Sequence, residues 1–167
     1  MNLINDTNLK GVKKILPPTI FEDYRGTYVE IYNEKIYKDN GITQNFIQDD
    51  ISTSRKNVLR GIHGDDCTWK LISCLSGAFY LIVVNNDKDS DQYKKYESFT
   101  LSESNRVQIL IPPKFGNGHL VLTESAIFHY KQSTNYARDK QFTIRWNDPN
   151  YNIRWPIDNP ILSFRDS

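Results

Sequence analysis

Between Trp69 and Gln132 the chain is a succession of short β-type runs, broken by turn residues about every ten positions, and this spacing dictates the fold class. Residues 71–75 and the apolar run 79–84 flank Gly77, which reads as a hairpin turn. Residues 85–91 form a polar surface loop by their turn chemistry, and 96–101 and 107–111 are further strands. Past Pro112 and Pro113, Gly116-Asn117-Gly118 leads into residues 119–123 and 126–132, expected as a paired set of strands. Nothing alternates strand with long helix, so β-α-β units are excluded and a single-domain, all-β jelly roll or closed β-barrel over residues 1–167 is expected. Such folds leave a mouth that can host a small ligand.

The upstream third fits the same class. Residues 21–26 read as a turn before a strand at 27–32, and residues 34–39 as a short peripheral helix stopped by Asn40-Gly41. Residues 43–50 and 58–63 are strand candidates, separated by a polar loop at 52–57. The tail from Gln141 carries aromatics with little periodicity and should wrap the outside of the β core. A length of 167 residues needs no disulfide or metal staple.

Charge limits the partners. With 21 basic against 20 acidic residues the chain has no basic field for nucleic acid or a membrane surface, so an anionic ligand must be caught by local arginines. Arg25, Arg55 and Arg60 are the candidates. The polar start, Met1 to Asp6, lacks an apolar leader core, and the longest apolar run falls short of a membrane span, so a cytoplasmic location is expected. Two irregularly placed cysteines, Cys67 and Cys74, read as reduced thiols, Cys74 being packed in a strand.

The chemistry concentrates in residues 58–71, where Arg60, His63 and Lys70 sit on two short strands joined by a polar turn. Strand alternation puts Leu59, Gly61 and His63 on one face and Arg60 on the other. Arg60 and His63 can therefore serve one ligand only if the strand bends at Gly61 or the ligand lies across its rim, as a bulge would allow. Lys70 shares a face with Ile72 and Cys74; it either snorkels to solvent or holds its amine in an apolar interior, where it would seek an anionic oxygen. For His63 a structural and a catalytic role both stand. For His119 and His129 the structural role is the stronger reading, and a metal site would require His63 and His119 to meet in space, since no His-x-His or His-x-x-x-His spacing occurs.

Several ordered motifs point further. Phe21-Glu22-Asp23-Tyr24-Arg25-Gly26, Phe46-Ile47-Gln48-Asp49, Val58-Leu59-Arg60-Gly61-Ile62-His63, Lys70-Leu71, Ile111-Pro112-Pro113, Tyr130-Lys131, Ile144-Arg145-Trp146-Asn147-Asp148, Trp155-Pro156 and Leu162-Ser163-Phe164-Arg165-Asp166 span nearly the whole chain. In this the chain resembles the dTDP-4-dehydrorhamnose 3,5-epimerase family. The resemblance implies a cupin-type jelly roll that needs no cofactor or metal, acting on a nucleotide-linked 4-keto-6-deoxy sugar. It further implies a homodimer with exchanged strands, in which Arg25 and Glu30 help complete the partner's site. It places the base at His63, its orienting carboxylate at Asp166, the ketone-side cation at Lys70, the acid at Tyr130 and the diphosphate arginines at Arg25 and Arg60. Gln48, Asp50, Asn117, His119 and Tyr136 are then expected on the substrate side.

The chain departs from the family's usual pattern near the sugar. Asn117-Gly118-His119 stands where His-Gly-Phe is common, Leu81 where an aspartate is common, Asp50 for an asparagine and Thr27 for an aromatic. The combination of Arg60-Gly61-Ile62-His63-Gly64-Asp65, Thr68-Trp69-Lys70 and Phe115-Gly116-Asn117-Gly118-His119 resembles the branch acting on GDP-linked 4-keto-6-deoxy-heptoses of capsular polysaccharide, which becomes the expected substrate. The alternatives are a dTDP-linked hexose 3,5-epimerase, a sugar 3,4-ketoisomerase, a metal-dependent cupin, and a non-catalytic module that only binds sugar nucleotides.

Overall fold

The computed structural model describes residues 3–167; Met1 and Asn2, which open the polar start, lie outside the described residues. In chain order the strands begin with β1 (Ile4–Asp6), β2 (Lys13–Ile15), β3 (Thr19–Asp23) and β4 (Gly26–Glu30). The helix α1 (Glu34–Asp39) follows, then β5 (Gln48–Arg55), β6 (Leu59–Gly64), β7 (Lys70–Ser76) and β8 (Ala78–Asn85). The chain continues through β9 (Tyr96–Ser102), β10 (Gln108–Ile111), β11 (Phe115–Val121), β12 (Ser125–Gln132) and β13 (Phe142–Thr143). The ladders are antiparallel and form two sheets, ordered β1-β2-β10-β7-β12-β5 and β13-β6-β11-β8-β9, with β3 and β4 as a separate hairpin. This is the all-β, cupin-type jelly roll expected.

Alternation along β8 explains how the sheets stack. Phe79, Leu81 and Val83 turn inward to a core between the sheets, where they meet Ile72 and Cys74 of β7 and Phe128 of β12. The intervening Ile82 and Val84 turn outward, against Ile62 and Ile144, and are covered by Phe142, Tyr151, Ile153 and Trp155 of the tail. A strand buried on both faces reads as an unbroken apolar run, and this is why 79–84 shows no alternation. On the far side of the other sheet α1 lays Tyr37 over Ile15, Leu71 and Leu110. Its start is set by Asn33, whose side chain accepts from the Ile36 N–H at 3.2 Å.

Three local expectations are corrected. Gly77 does not close a hairpin: β7 and β8 belong to different sheets, and the glycine turns the corner between them at φ +71°. A side chain there would collide with the Ser125 carbonyl oxygen. The strands at 115–121 and 125–132 do not pair with each other either; β11 runs between β6 and β8, and β12 between β7 and β5. Finally, most of the polar stretch 52–57 is strand. It extends β5 to Arg55, because β12 supplies partners along all eight positions from Ser125 opposite Arg55 to Gln132 opposite Gln48. Residues 43–47, expected to begin that strand, precede it as irregular chain.

Candidate active site

One end of the space between the sheets is polar and open, forming a cavity of about 510 Å³. The β6 strand reaches it through a bulge, one of the ways left open for Arg60 and His63 to serve one ligand. His63 lies opposite Asn117 and Arg60 opposite His119, so three steps on β6 match two on β11. Gly61, at φ +112°, sits in the bulge, where a Cβ would lie 2.6 Å from both the Asn117 carbonyl oxygen and the Gly118 Cα. Arg60 and His63 therefore both line the cavity despite opposite parity.

His63 is gripped at both ring nitrogens. Nε2 lies 2.8 Å from Asp166 Oδ1, and Nδ1 lies 3.2 Å from the Thr143 hydroxyl oxygen. Asp166 is buried, and burial works to raise its pKa. The hydrogen bonds from His63 and from Ser163, whose hydroxyl donates to Oδ2 at 3.0 Å, outweigh this and hold it below the usual carboxylate range. An ionised carboxylate only accepts, which favours a proton on Nε2; in the neutral tautomer that carries it there, the Nδ1 lone pair accepts from the Thr143 hydroxyl.

Lys70 does not snorkel: it is buried, and Nζ donates to Asn117 Oδ1 at 3.1 Å. Burial lowers its pKa to about 8, against the favourable charge of Asp65 and together with the opposing charge of Arg165. Tyr130, on β12, is pushed up to about 12 by burial and by Asp50 directly across the ladder, so its phenol stays protonated. Asp50 is in turn held by the side-chain amides of Gln48 and Gln132, each 2.7 Å from Oδ2.

His119 lines the same cavity but stacks face to face on Phe128, with ring centroids 4.1 Å apart. Burial, reinforced by Arg60, drops it to about 3, so it is a neutral imidazole. His63 and His119 thus do meet at one cavity. Even so, no group of three or more His, Cys, Asp or Glu side chains among the described residues is arranged to hold a metal ion. His129 falls outside the cavity, beside Asp49 at 3.6 Å.

The sequence candidates therefore divide. His63, Lys70, Tyr130, Asp166, Arg60, Asp50, Asn117, His119 and Tyr136 are brought to one cavity. Gln48 stands just behind it, bonding Asp50 and accepting from the Tyr136 N–H at 2.9 Å. Arg25 and Glu30 are elsewhere, on the β3–β4 hairpin, and exposed Arg55 ends β5 outside the cavity. Arg25 forms an ion pair with Asp23, at 2.6 Å, and its guanidinium lies 6.0 Å from the centroid of the Tyr24 ring.

The sequence model of the family described as dTDP-4-dehydrorhamnose 3,5-epimerase matches residues 6–167. The chain belongs to this family. It is an isomerase of the epimerase class. The dTDP-4-dehydrorhamnose 3,5-epimerase of Escherichia coli K12 is 37% identical over 171 residues, covering 99% of this chain and 91% of that protein. Among solved structures, the Bacillus anthracis enzyme of that name, with TDP and PPi bound, superposes with a TM-score of 0.92 at 35% identity, covering 98% of this chain and 95% of that one. The Legionella pneumophila dTDP-6-deoxy-D-glucose-3,5-epimerase, in complex with dTDP-4-keto-L-rhamnose, gives 0.91 at 35% identity over 98% and 88%. The nucleotides named in these two complexes are TDP and dTDP, not the expected GDP.

Membership in the epimerase family directs attention to cavity residues that sequence reasoning left unassigned. Arg138, Gln141 and Arg165 line the mouth, and the Arg165 guanidinium donates to Gln141 Oε1 at 2.9 Å. Thr143 faces His63 because β13 pairs with β6 at that position. A two-residue strand carries no usable periodicity, so only the ladder reveals it. Arg165 had a signal: it adjoins Asp166 on a turn closed by the Asp166 N–H to Ser163 carbonyl bond at 3.1 Å, so both residues are delivered to the mouth together. Cys67 is exposed and Cys74 buried, both free, and burial pushes the Cys74 thiol up to about 11. No helix among the described residues is long and apolar enough to cross a membrane.

Proposed function

We propose that the protein epimerises a dTDP-linked 4-keto-6-deoxy sugar at one or both of the carbons that flank its ketone, C3 and C5. The observation that carries this is the pairing of His63 with Asp166 at 2.8 Å in a cavity that also holds Lys70 and Tyr130. A proton next to a ketone becomes removable when a base takes it and a cation receives the electron pair that moves onto the ketone oxygen. His63 is the base, through the nitrogen opposite the one bonded to Asp166, and exchanges its Thr143 hydrogen bond for the substrate. Lys70 faces the enolate oxygen. Tyr130, protonated up to about 12, returns a proton to the opposite face of the carbon, which inverts it. Arg60 at the cavity wall, with Arg138 and Arg165 at the mouth, suits the diphosphate.

The GDP-linked heptose is the competing substrate, kept because Asn117 and His119, two positions where the chain departs from the family pattern, line the cavity. The dTDP-linked reading has precedence because the relatives' names and ligands support it. Incubation in deuterated water with dTDP- and GDP-linked 4-keto-6-deoxy sugars, a heptose included, followed at C3 and C5 by NMR, decides between them. Deuterium entering with inversion in the dTDP series is the expected result; inversion confined to the GDP-heptose reverses the assignment, and no exchange with any sugar sinks the epimerase. A 3-keto product would identify a ketoisomerase.

The hairpin carries the assembly part of the proposal. An isolated two-stranded sheet is marginal in water, yet β3–β4 projects Ile20, Phe21, Tyr24 and Tyr28 into solvent. A second copy of this chain would cover those side chains and bring Arg25 and Glu30 to its neighbour's cavity. Light scattering after size exclusion tests it: a dimer is expected, and a monomer at micromolar concentration refutes exchange.

A further inference from the structure

Lys70 is the only lysine buried among the described residues, and its surroundings are unusual for a charge. Its ladder neighbours are uncharged, Ile111 on β10 and Gln132 on β12. Among the described residues its ammonium has one hydrogen bond, to the neutral amide of Asn117, and no carboxylate forms an ion pair with it. Asp65, from the turn after β6, acts on it favourably, and Arg165, from the C-terminal turn, acts against it. The other carboxylates at the cavity are already engaged, Asp166 by His63 and Ser163, and Asp50 by Gln48 and Gln132. Arg60, His63, His119, Tyr130 and Arg138 supply no anion.

A buried ammonium with a single neutral acceptor keeps N–H donors unanswered and an uncompensated charge, which is costly in the empty cavity and welcoming to an anionic oxygen. A carboxylate in place of the amide would remove that cost and the attraction with it. We propose that Asn117 is a positioning residue for Lys70: its amide oxygen fixes the ammonium inside the cavity without neutralising it, leaving the charge for the oxyanion that develops on the bound sugar. The inference rests on the epimerase reading for the identity of that oxyanion. Its consequence is a narrow margin of protonation, because burial without a counter-ion already brings Lys70 to about 8.

The test compares wild type with Asn117→Asp and Asn117→Leu by two readouts. One is the pH dependence of kcat/KM for proton exchange, whose limbs belong to the substrate-free enzyme. The other is the titration of Lys70 in substrate-free protein labelled at lysine Cε and Nζ, its NMR signal assigned with K70R. In wild type the alkaline limb of kcat/KM and the Lys70 midpoint should coincide near 8. Asn117→Asp should move both upward by about one pH unit or more and lower the plateau about tenfold, since the ammonium is then neutralised in advance. Asn117→Leu, which removes the acceptor, should move both downward. Because Asn117 lies across from His63, the acid limb is left out of the comparison. A Lys70 midpoint that ignores Asn117→Asp, or a limb that fails to follow it, overturns the proposal. Wild type that exchanges no deuterium refutes the epimerase reading instead, and the substrate-free titration still reports whether Asn117 holds Lys70.

Discussion

The cavity and the β3–β4 hairpin carry the same kinds of residues and treat them in opposite ways. In the cavity several polar side chains are held by others from a distant part of the chain: His63 by Asp166, Lys70 by Asn117, Asp50 by Gln132. On the hairpin Arg25 pairs with Asp23, two residues away, and the aromatics Phe21, Tyr24 and Tyr28 face solvent. The first region is preorganised by its own fold; the second is a set of groups waiting for a surface. Substitutions in the cavity should therefore act on the chemical step and on stability, and those on the hairpin on binding alone.

The sharpest contrast comes from His63. His63→Asn should lower kcat by roughly 10²–10⁴-fold, the range for a lost general base, with little change in KM. A stopped assay of deuterium exchange reads it, and near-normal turnover would remove His63 from the role. Tyr130→Phe deletes the acid and little volume, so inversion should fall by about 10²-fold while exchange at the same carbon persists. Equal loss of both would make Tyr130 a binding group.

Lys70→Met separates function from stability. Lys70 is at about 8 in the folded protein against an ordinary 10.5, so between those values the unfolded chain binds more protons and stability rises with pH. Below about 8 the full cost of burying the charge is present. Methionine fills a similar volume without it, so the variant should unfold later in urea at pH 7, by on the order of 3 kcal/mol, and lose its advantage above pH 10.5. Activity should be abolished. A variant less stable than wild type at pH 7 would show that Lys70 is compensated after all.

What was legible in the chain follows the same division. The spacing of short β runs pointed to the all-β class, and residue parity around Gly61 left a bend there as one way to join Arg60 and His63, which the ladder then displayed. Turn residues told where the chain reverses but not whether the flanking strands pair. Gly77 therefore looked like a hairpin when it is a corner between sheets, and β11 and β12 looked like partners when they lie in opposite layers. The polar residues of β5 lack strand propensity of their own; β12, more than seventy residues later, imposes their conformation. The ordered motifs placed His63, Lys70, Tyr130 and Asp166, whereas Thr143 depends on a two-residue ladder that has no local signature.

The smallest effect tests the hairpin side. Arg25 is largely exposed and its ion pair with Asp23 is of the solvent-screened surface kind, so Arg25→Ala should leave the unfolding midpoint nearly unchanged. If Arg25 meets the diphosphate in a second copy's cavity, the variant should raise KM about tenfold at constant kcat, the loss of one charge-assisted contact. Mixed dimers make the geometry decisive. Pairing an Arg25→Ala subunit with a His63→Asn subunit puts both defects in one cavity and leaves the other intact if Arg25 acts across the interface. Half the wild-type kcat with wild-type KM is then expected. If Arg25 acts within its own chain, each cavity carries one defect and no site with wild-type KM appears, which would refute the exchange of the hairpin between subunits.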